Sequence, residues 1–149
     1  MNRVGTGTHS YDVIADWAKI PAGWDAPMAA VTVDSQNRIY GFNRGKHGVI
    51  VFDESGRYLS DWGETNFAFP HAIYADREDN IWIVDRDAGQ IYKYTTSGEL
   101  LMTIGQKGYR SDTGADNLVF SSNGYSEEPH GGGPFTLTAG IADAAKREI

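Results

Sequence analysis

The residues of this chain best suited to chemistry are one histidine, His71, and two arginines, Arg44 and Arg86, that stand 42 residues apart. His71 follows Pro70 and opens the apolar run Ala72-Ile73-Tyr74-Ala75. An imidazole there suits a metal ligand, and equally a histidine bonded to a neighbouring carbonyl at a turn. Arg44 and Arg86 each close an apolar run. A guanidinium in that place can grip a substrate carboxylate with both arms of its planar fork. Its recurrence also suits a structural pairing with aspartate or turn carbonyls, since one substrate needs one clamp. Other chemistry is poorly supplied. The absence of cysteine excludes disulfides and thiolate metal sites. No Ser-His-Asp spacing and no pair of carboxylates stands out. His130 with Gly131-Gly132-Gly133 lacks the preceding strand and following helix of a phosphate cradle. Asp34, Asp76, Asp85 and Asp87 lie among turn residues and read as turn formers.

A repeat must position these side chains. Ala30, Asp34, Ile39, Arg44, Ser55, Gly56, Leu59 and Gly63 recur 42 residues later, without a gap, as Ala72, Asp76, Ile81, Arg86, Ser97, Gly98, Leu101 and Gly105. A period of about 40 to 45 residues marks a β-propeller blade or a related array. Each repeat holds four short apolar runs, beginning at Ala30, Ile39, Val49 and Tyr58 in the first and at Ala72, Ile81, Ile91 and Leu100 in the second. Their β-branched and aromatic residues predict strands. The Asp, Asn, Ser and Gly between them supply the side-chain bonds and positive φ of tight hairpins. Four strands joined by hairpins make a blade. A channel metal in such a fold draws on equivalent positions of several blades, and catalytic zinc takes three protein ligands. The equivalents of His71 are Ala29 in the preceding repeat and Ala139 in the following one.

The flanks fit the scheme less closely. Tyr11 to Trp17, running on to Ile20-Pro21, reads as the last strand of an earlier blade and its link. Gln106 to Pro134 is polar and Gly-rich, too long for an ordinary connection, and reads as a loop. Leu137 to Ala142 opens a third repeat, but Ala142 to Glu148 suits a short helix as well as a strand. The expectation is therefore all-β: one incomplete propeller domain with two complete four-stranded blades, pieces of two more and room for a short C-terminal helix. Its parts are 8–26 (last strand of a preceding blade, and link), 27–64 and 69–105 (blades), 106–135 (loop) and 136–149 (start of a broken blade). A chain with 40% apolar residues, 18 glycines and a net charge of −7 is a folded, turn-rich protein without the basic stripe that nucleic acid or an anionic membrane would need. No signal-peptide run and no membrane-length apolar run occurs, so a cytoplasmic location is expected.

Pro70-His71-Ala72-Ile73, Asp79-Asn80-Ile81-Trp82-Ile83-Val84-Asp85, Gln90-Ile91-Tyr92-Lys93-Tyr94 and Ser97-Gly98 resemble the NHL-repeat family. Within it, Phe42-Asn43-Arg44-Gly45-Lys46-His47 with Phe69-Pro70-His71 is similar to the six-bladed peptidyl-α-hydroxyglycine α-amidating lyases and their bacterial relatives. That resemblance implies a channel zinc held by three histidines, of which His71 matches the first, and an active-site arginine, which Arg44 matches. It also implies release of glyoxylate from a hydroxyglycine peptide. Gly89 stands where the lyase version of this repeat often has histidine. Two functions follow. The chain is a binding or scaffold module without catalysis of its own, or it is a zinc-dependent lyase-like enzyme whose missing blades come from elsewhere. A calcium-dependent gluconolactonase-like enzyme shares the propeller but needs an acidic ligand cluster that is absent here. Expected partners are further copies through open blade edges, or a peptide or small-molecule ligand.

Overall fold

The computed structural model describes residues 2–64 and 66–107, and the backbone of residues 118–121 and 124–127. Among them the protein is all-β, and the strands of its sheets pair antiparallel. A hairpin of β1 (Asn2–Thr6) and β2 (His9–Val13) comes first. Strands β3 (Met28–Val33), β4 (Ile39–Asn43), β5 (Val49–Phe52) and β6 (Tyr58–Trp62) form a four-stranded sheet in chain order. Strands β7 (Pro70–Ala75), β8 (Ile81–Asp85), β9 (Gln90–Tyr94) and β10 (Leu100–Ile104) form a second. A last hairpin joins β11 (Leu118–Ser121) to β12 (Gly124–Glu127). Two such four-stranded sheets are the architecture expected of a partial propeller.

The two sheets share one register. Ala30 faces Phe42 as Ala72 faces Val84, and Ile39 faces Phe52 as Ile81 faces Tyr94. Even the bulges recur. Ala29 is the extra residue between Met28 and Ala30, and His71 the extra residue between Pro70 and Ala72. Leu59 and Leu101 play the same part at the outer strands. The cause is turn chemistry that repeats at the first and third hairpins of each sheet, with Thr95 in the aspartate's place in the last of them. The carboxylate Oδ1 of Asp34 accepts from the N–H of Gln36 and Arg38, that of Asp53 from Ser55 and Arg57, and that of Asp76 from Glu78 and Asn80. The left-handed residue of each turn is Asn37, Gly56, Asp79 or Gly98, with φ between 59° and 87°. Asn and Asp tolerate this region because of their short polar side chains, and Gly because it has no Cβ.

Alternation along the strands gives each sheet two faces. One face of the first sheet, with Tyr40, Phe42, Val49 and Val51, meets Ile73, Ile81, Ile83 and Tyr94 of the second in a single buried cluster. Phe67, in the connection, stands edge-on to Phe42 with ring centres 5.0 Å apart. Polar bonds pin the same junction. Ala75 N–H donates to Thr32 Oγ1 at 3.0 Å, and the N–H and hydroxyl of Ser35 donate to the Asp79 carboxylate.

Two segments differ from the sequence reading. The strand expected over Tyr11–Trp17 ends at Val13, pairs with β1, and gives way to a turn at Asp16 with φ of 51°. Trp17 then lies on Phe52 and Gly56 of the first sheet as Trp62 lies on Tyr94 and Gly98 of the second. Within the segment read as a Gly-rich loop over 106–135, Leu118-Val119-Phe120 has strand propensity, and β11–β12 forms there. His130, the triple glycine, the opening of a third repeat and the C-terminal helix or strand lie outside the described residues.

Candidate functional site

The end of the sheet junction where β4 and β8 finish is built on two equivalent buried residues, Asn43 and Asp85, each 1% exposed. Asn43 Nδ2 donates to the carbonyls of Asp25 and His47, and its Oδ1 accepts from Gly45 N–H, which shapes the loop carrying Arg44. The Asp85 carboxylate accepts from the N–H groups of Ala68 (2.6 Å), Phe69 (2.8 Å) and Ala88 (3.3 Å). An acceptor-only side chain buried there requires such donors. Asp85 therefore fixes the segment leading into Pro70 and His71.

Arg44 and Arg86 occupy equivalent positions with different surroundings. Each backbone N–H reaches back, Arg44 to Pro27 O and Arg86 to Phe69 O, both at 3.1 Å. Arg44 Nε donates to Pro70 O at 3.2 Å, across the junction and next to His71. Arg86 Nε donates to Asp87 at 2.7 Å. Both guanidinium carbons lie over one ring, that of Phe69, at 4.4 Å for Arg44 and 3.9 Å for Arg86. Arg44 has no carboxylate partner among the described residues. Its side chain lines a cleft of 190 Å³ between the sheets, whose walls include Asn43, Asn66 and the Phe67–Pro70 segment. Glycines keep the cleft tight-walled. A Cβ on Gly48 would sit 2.2 Å from Gly63 O and 2.8 Å from the Phe67 ring.

His71 is half-buried on the bulge of β7, adjoining the carbonyl that holds Arg44. A bulge of this kind re-aims the side chain it carries. Zinc would need partners for it. Among the described residues no three His, Cys, Asp or Glu side chains converge, and the equivalent residue of the first sheet is Ala29. The described residues therefore do not make up a zinc site by themselves.

Spacing gave no sign of two other arrangements. His47 Nδ1 donates to Asp61 at 2.8 Å, Tyr58 OH donates to the same carboxylate at 2.6 Å, and Trp24 stacks flat on the imidazole at 3.3 Å. Burial disfavours the Asp61 anion, but the bonds from Tyr58 and His47 outweigh it and hold the carboxyl below its usual range. The bond to Asp61 pushes the Tyr58 phenol up to about 12. This cluster ties the 45–48 loop to β6. The second arrangement is the Phe69 ring itself, whose sequence signal amounts to an aromatic before Pro70-His71 where the first repeat has Pro27 before Met28.

No family model matches the chain. Over 71 residues it is 32% identical to peptidyl-alpha-hydroxyglycine alpha-amidating lyase 1 of Drosophila melanogaster. The chain is distantly similar to an amidating lyase. The match covers 45% of this chain but 13% of the fly protein, so the chain spans a small part of the relative's length.

Proposed function

We propose that this chain is an NHL-type propeller segment that binds a carboxylate-bearing ligand through Arg44, in the cleft between its two four-stranded sheets. The observation that carries the reading is a guanidinium without a carboxylate partner among the described residues, oriented by a ring and a carbonyl, on the wall of a small cleft. A guanidinium presents five donors. With Nε spent on Pro70 O, the terminal nitrogens remain for a planar anion, and two parallel bonds give such a pair its geometric selectivity. A cleft of 190 Å³ has room for a carboxylate and a few further heavy atoms. Calorimetric titration with N-acetylglycine tests the reading. Charge-assisted bonds contribute about 1.5–3 kcal/mol, so Arg44→Ala should weaken binding by at least about tenfold. Equal affinity of the two proteins would refute it.

A second reading is favoured by the similarity to the fly lyase, which is named for its action on peptidyl-α-hydroxyglycine. Here the chain takes part in a lyase-like enzyme, Arg44 holds the substrate carboxylate, and His71 contributes one ligand to a zinc site that other residues complete. The described residues supply too few ligands for any step to be assigned to the metal. Glyoxylate release from an α-hydroxyglycine peptide in the presence of zinc, abolished by His71→Ala, is the result this reading requires. Its absence at stoichiometric zinc leaves the binding module.

A further inference from the structure

We infer that Phe69 is a positioning residue for the carboxylate site, a platform that holds the Arg44 guanidinium toward the cleft and is itself clamped by the Arg86–Asp87 pair. The inference rests on the carboxylate reading of Arg44 and adds the part that makes an exposed arginine selective. Phe69 is fixed at both backbone polar groups, its N–H donating to Asp85 and its carbonyl accepting from Arg86 N–H. Its ring then carries two guanidinium groups, both inside the roughly 6 Å at which an aromatic face attracts a cation. Two like charges against one ring repel, yet the two are not equivalent. Asp87 lies 2.7 Å from Arg86 Nε and cancels that charge, so Arg86 brings contact area with little net field. Arg44 faces a carbonyl dipole and no carboxylate among the described residues, so its charge stays available on the cleft wall.

The division of labour follows from side-chain freedom. An arginine on a flexible stem loses rotamer freedom when a ligand captures it, and a pre-set guanidinium loses less. Phe69 sets the plane of Arg44, and Pro70 O sets its rotation through Nε. The donors of the terminal nitrogens are left for the ligand. The ring also gives the site an apolar flank, so the ligand class is a carboxylate on a small, weakly polar body.

N-acetylglycine titrated into the full chain, followed by calorimetry and by the NMR signals of Arg44, tests the platform. The Arg44 δ-protons of the wild type should be shifted upfield by the ring beneath them. Phe69→Leu should abolish that shift and weaken the probe about tenfold, while Phe69→Trp should keep both near wild type. Wild-type affinity in Phe69→Leu, or an Arg44 signal without ring shift in the wild type, overturns the inference while Arg44→Ala still reports on the carboxylate site. The ring-shift measurement needs no variant, so it decides even if Phe69→Leu does not fold. A wild type that binds no probe overturns the carboxylate reading and this inference with it.

Discussion

At the residue scale, equivalent positions have been given different work. Asn43 and Asp85 both anchor a loop, but one uses an amide that donates and accepts, and the other an anion that only accepts. Arg44 and Arg86 share a ring and differ in counter-ion. The aspartates of the hairpins are structural. Burial raises the Asp34 carboxyl, but bonds from the Arg38 N–H and side chain, Tyr40 and Gln36 outweigh it and hold it low. Asp76 is held low in the same way by Trp82, Asn80 and Lys93, and Ser55 and Arg57 bring Asp53 to about 2. A folded-state value below that of the free carboxyl means that the folded form binds fewer protons than the unfolded one. The stability is present above about pH 4 and is lost as pH falls toward about 2. Melting temperatures should be flat from neutral pH to about 5 and drop below 4, and Asp76→Asn should shrink the drop. A melting curve insensitive to acid would contradict the assignment. Asp34→Ala leaves Tyr40 and two turn N–H groups without their acceptor and should cost about 3 kcal/mol in urea unfolding.

At the scale of elements, the eight strands of the two sheets were legible because local and tertiary signals agree there. The apolar runs have strand chemistry, and the turns between them contain the residues that the left-handed positions demand. What lay beyond reach had weaker local signals or depended on contacts across the chain. Asn2–Thr6 is mostly polar, with a single apolar side chain, Val4, followed by a glycine, and does not read as a strand. Trp17 is 45 residues before Trp62, outside the period, so its equivalence emerges from packing on Phe52 and Gly56. His47 meets Asp61 across the sheet. The tryptophan-on-glycine contact makes a clean prediction. Gly56 has φ of 83° and a Cβ there would come 1.9 Å from Trp17 O, whereas Gly23 has φ of 82° with nothing within 4 Å. Gly56→Ala should cost about 3 kcal/mol and Gly23→Ala about 1 kcal/mol. Equal losses in denaturant unfolding would show that the packing against Trp17 is not what constrains this turn.

At the scale of the molecule, the junction between the sheets shows what each sheet face needs. Ile73 on β7 is 8% exposed against the first sheet, while its equivalent Val31 on β3 is 64% exposed. Leu100, Leu101, Met102 and Ile104 on the outer strand β10 are exposed as well. Open apolar strands of this kind favour association with further sheets. Sedimentation should show concentration-dependent association that Met102→Lys reduces, and a strictly monomeric chain at high concentration would argue against it. Among the described residues the β1–β2 hairpin touches no other strand, so a chain beginning at residue 14 should melt within a few degrees of the whole. The candidate site was legible only in part. Arg44 and His71 were singled out by their resemblance to lyase motifs, and Arg44 also by its recurrence one repeat later, but the ring and carbonyl beside Arg44 come from the segment entering the next sheet and meet it only once the two sheets have packed.

Mapping the amide shifts caused by N-acetylglycine tests the central claim most directly, because it asks where the ligand sits. A carboxylate held by Arg44 should move the Gly45, Gly48, Asn66, Ala68 and Phe69 amides together with the Arg44 Nε–H. Shifts confined to other regions, such as Trp24 and His47 or the outer strands, would contradict the account.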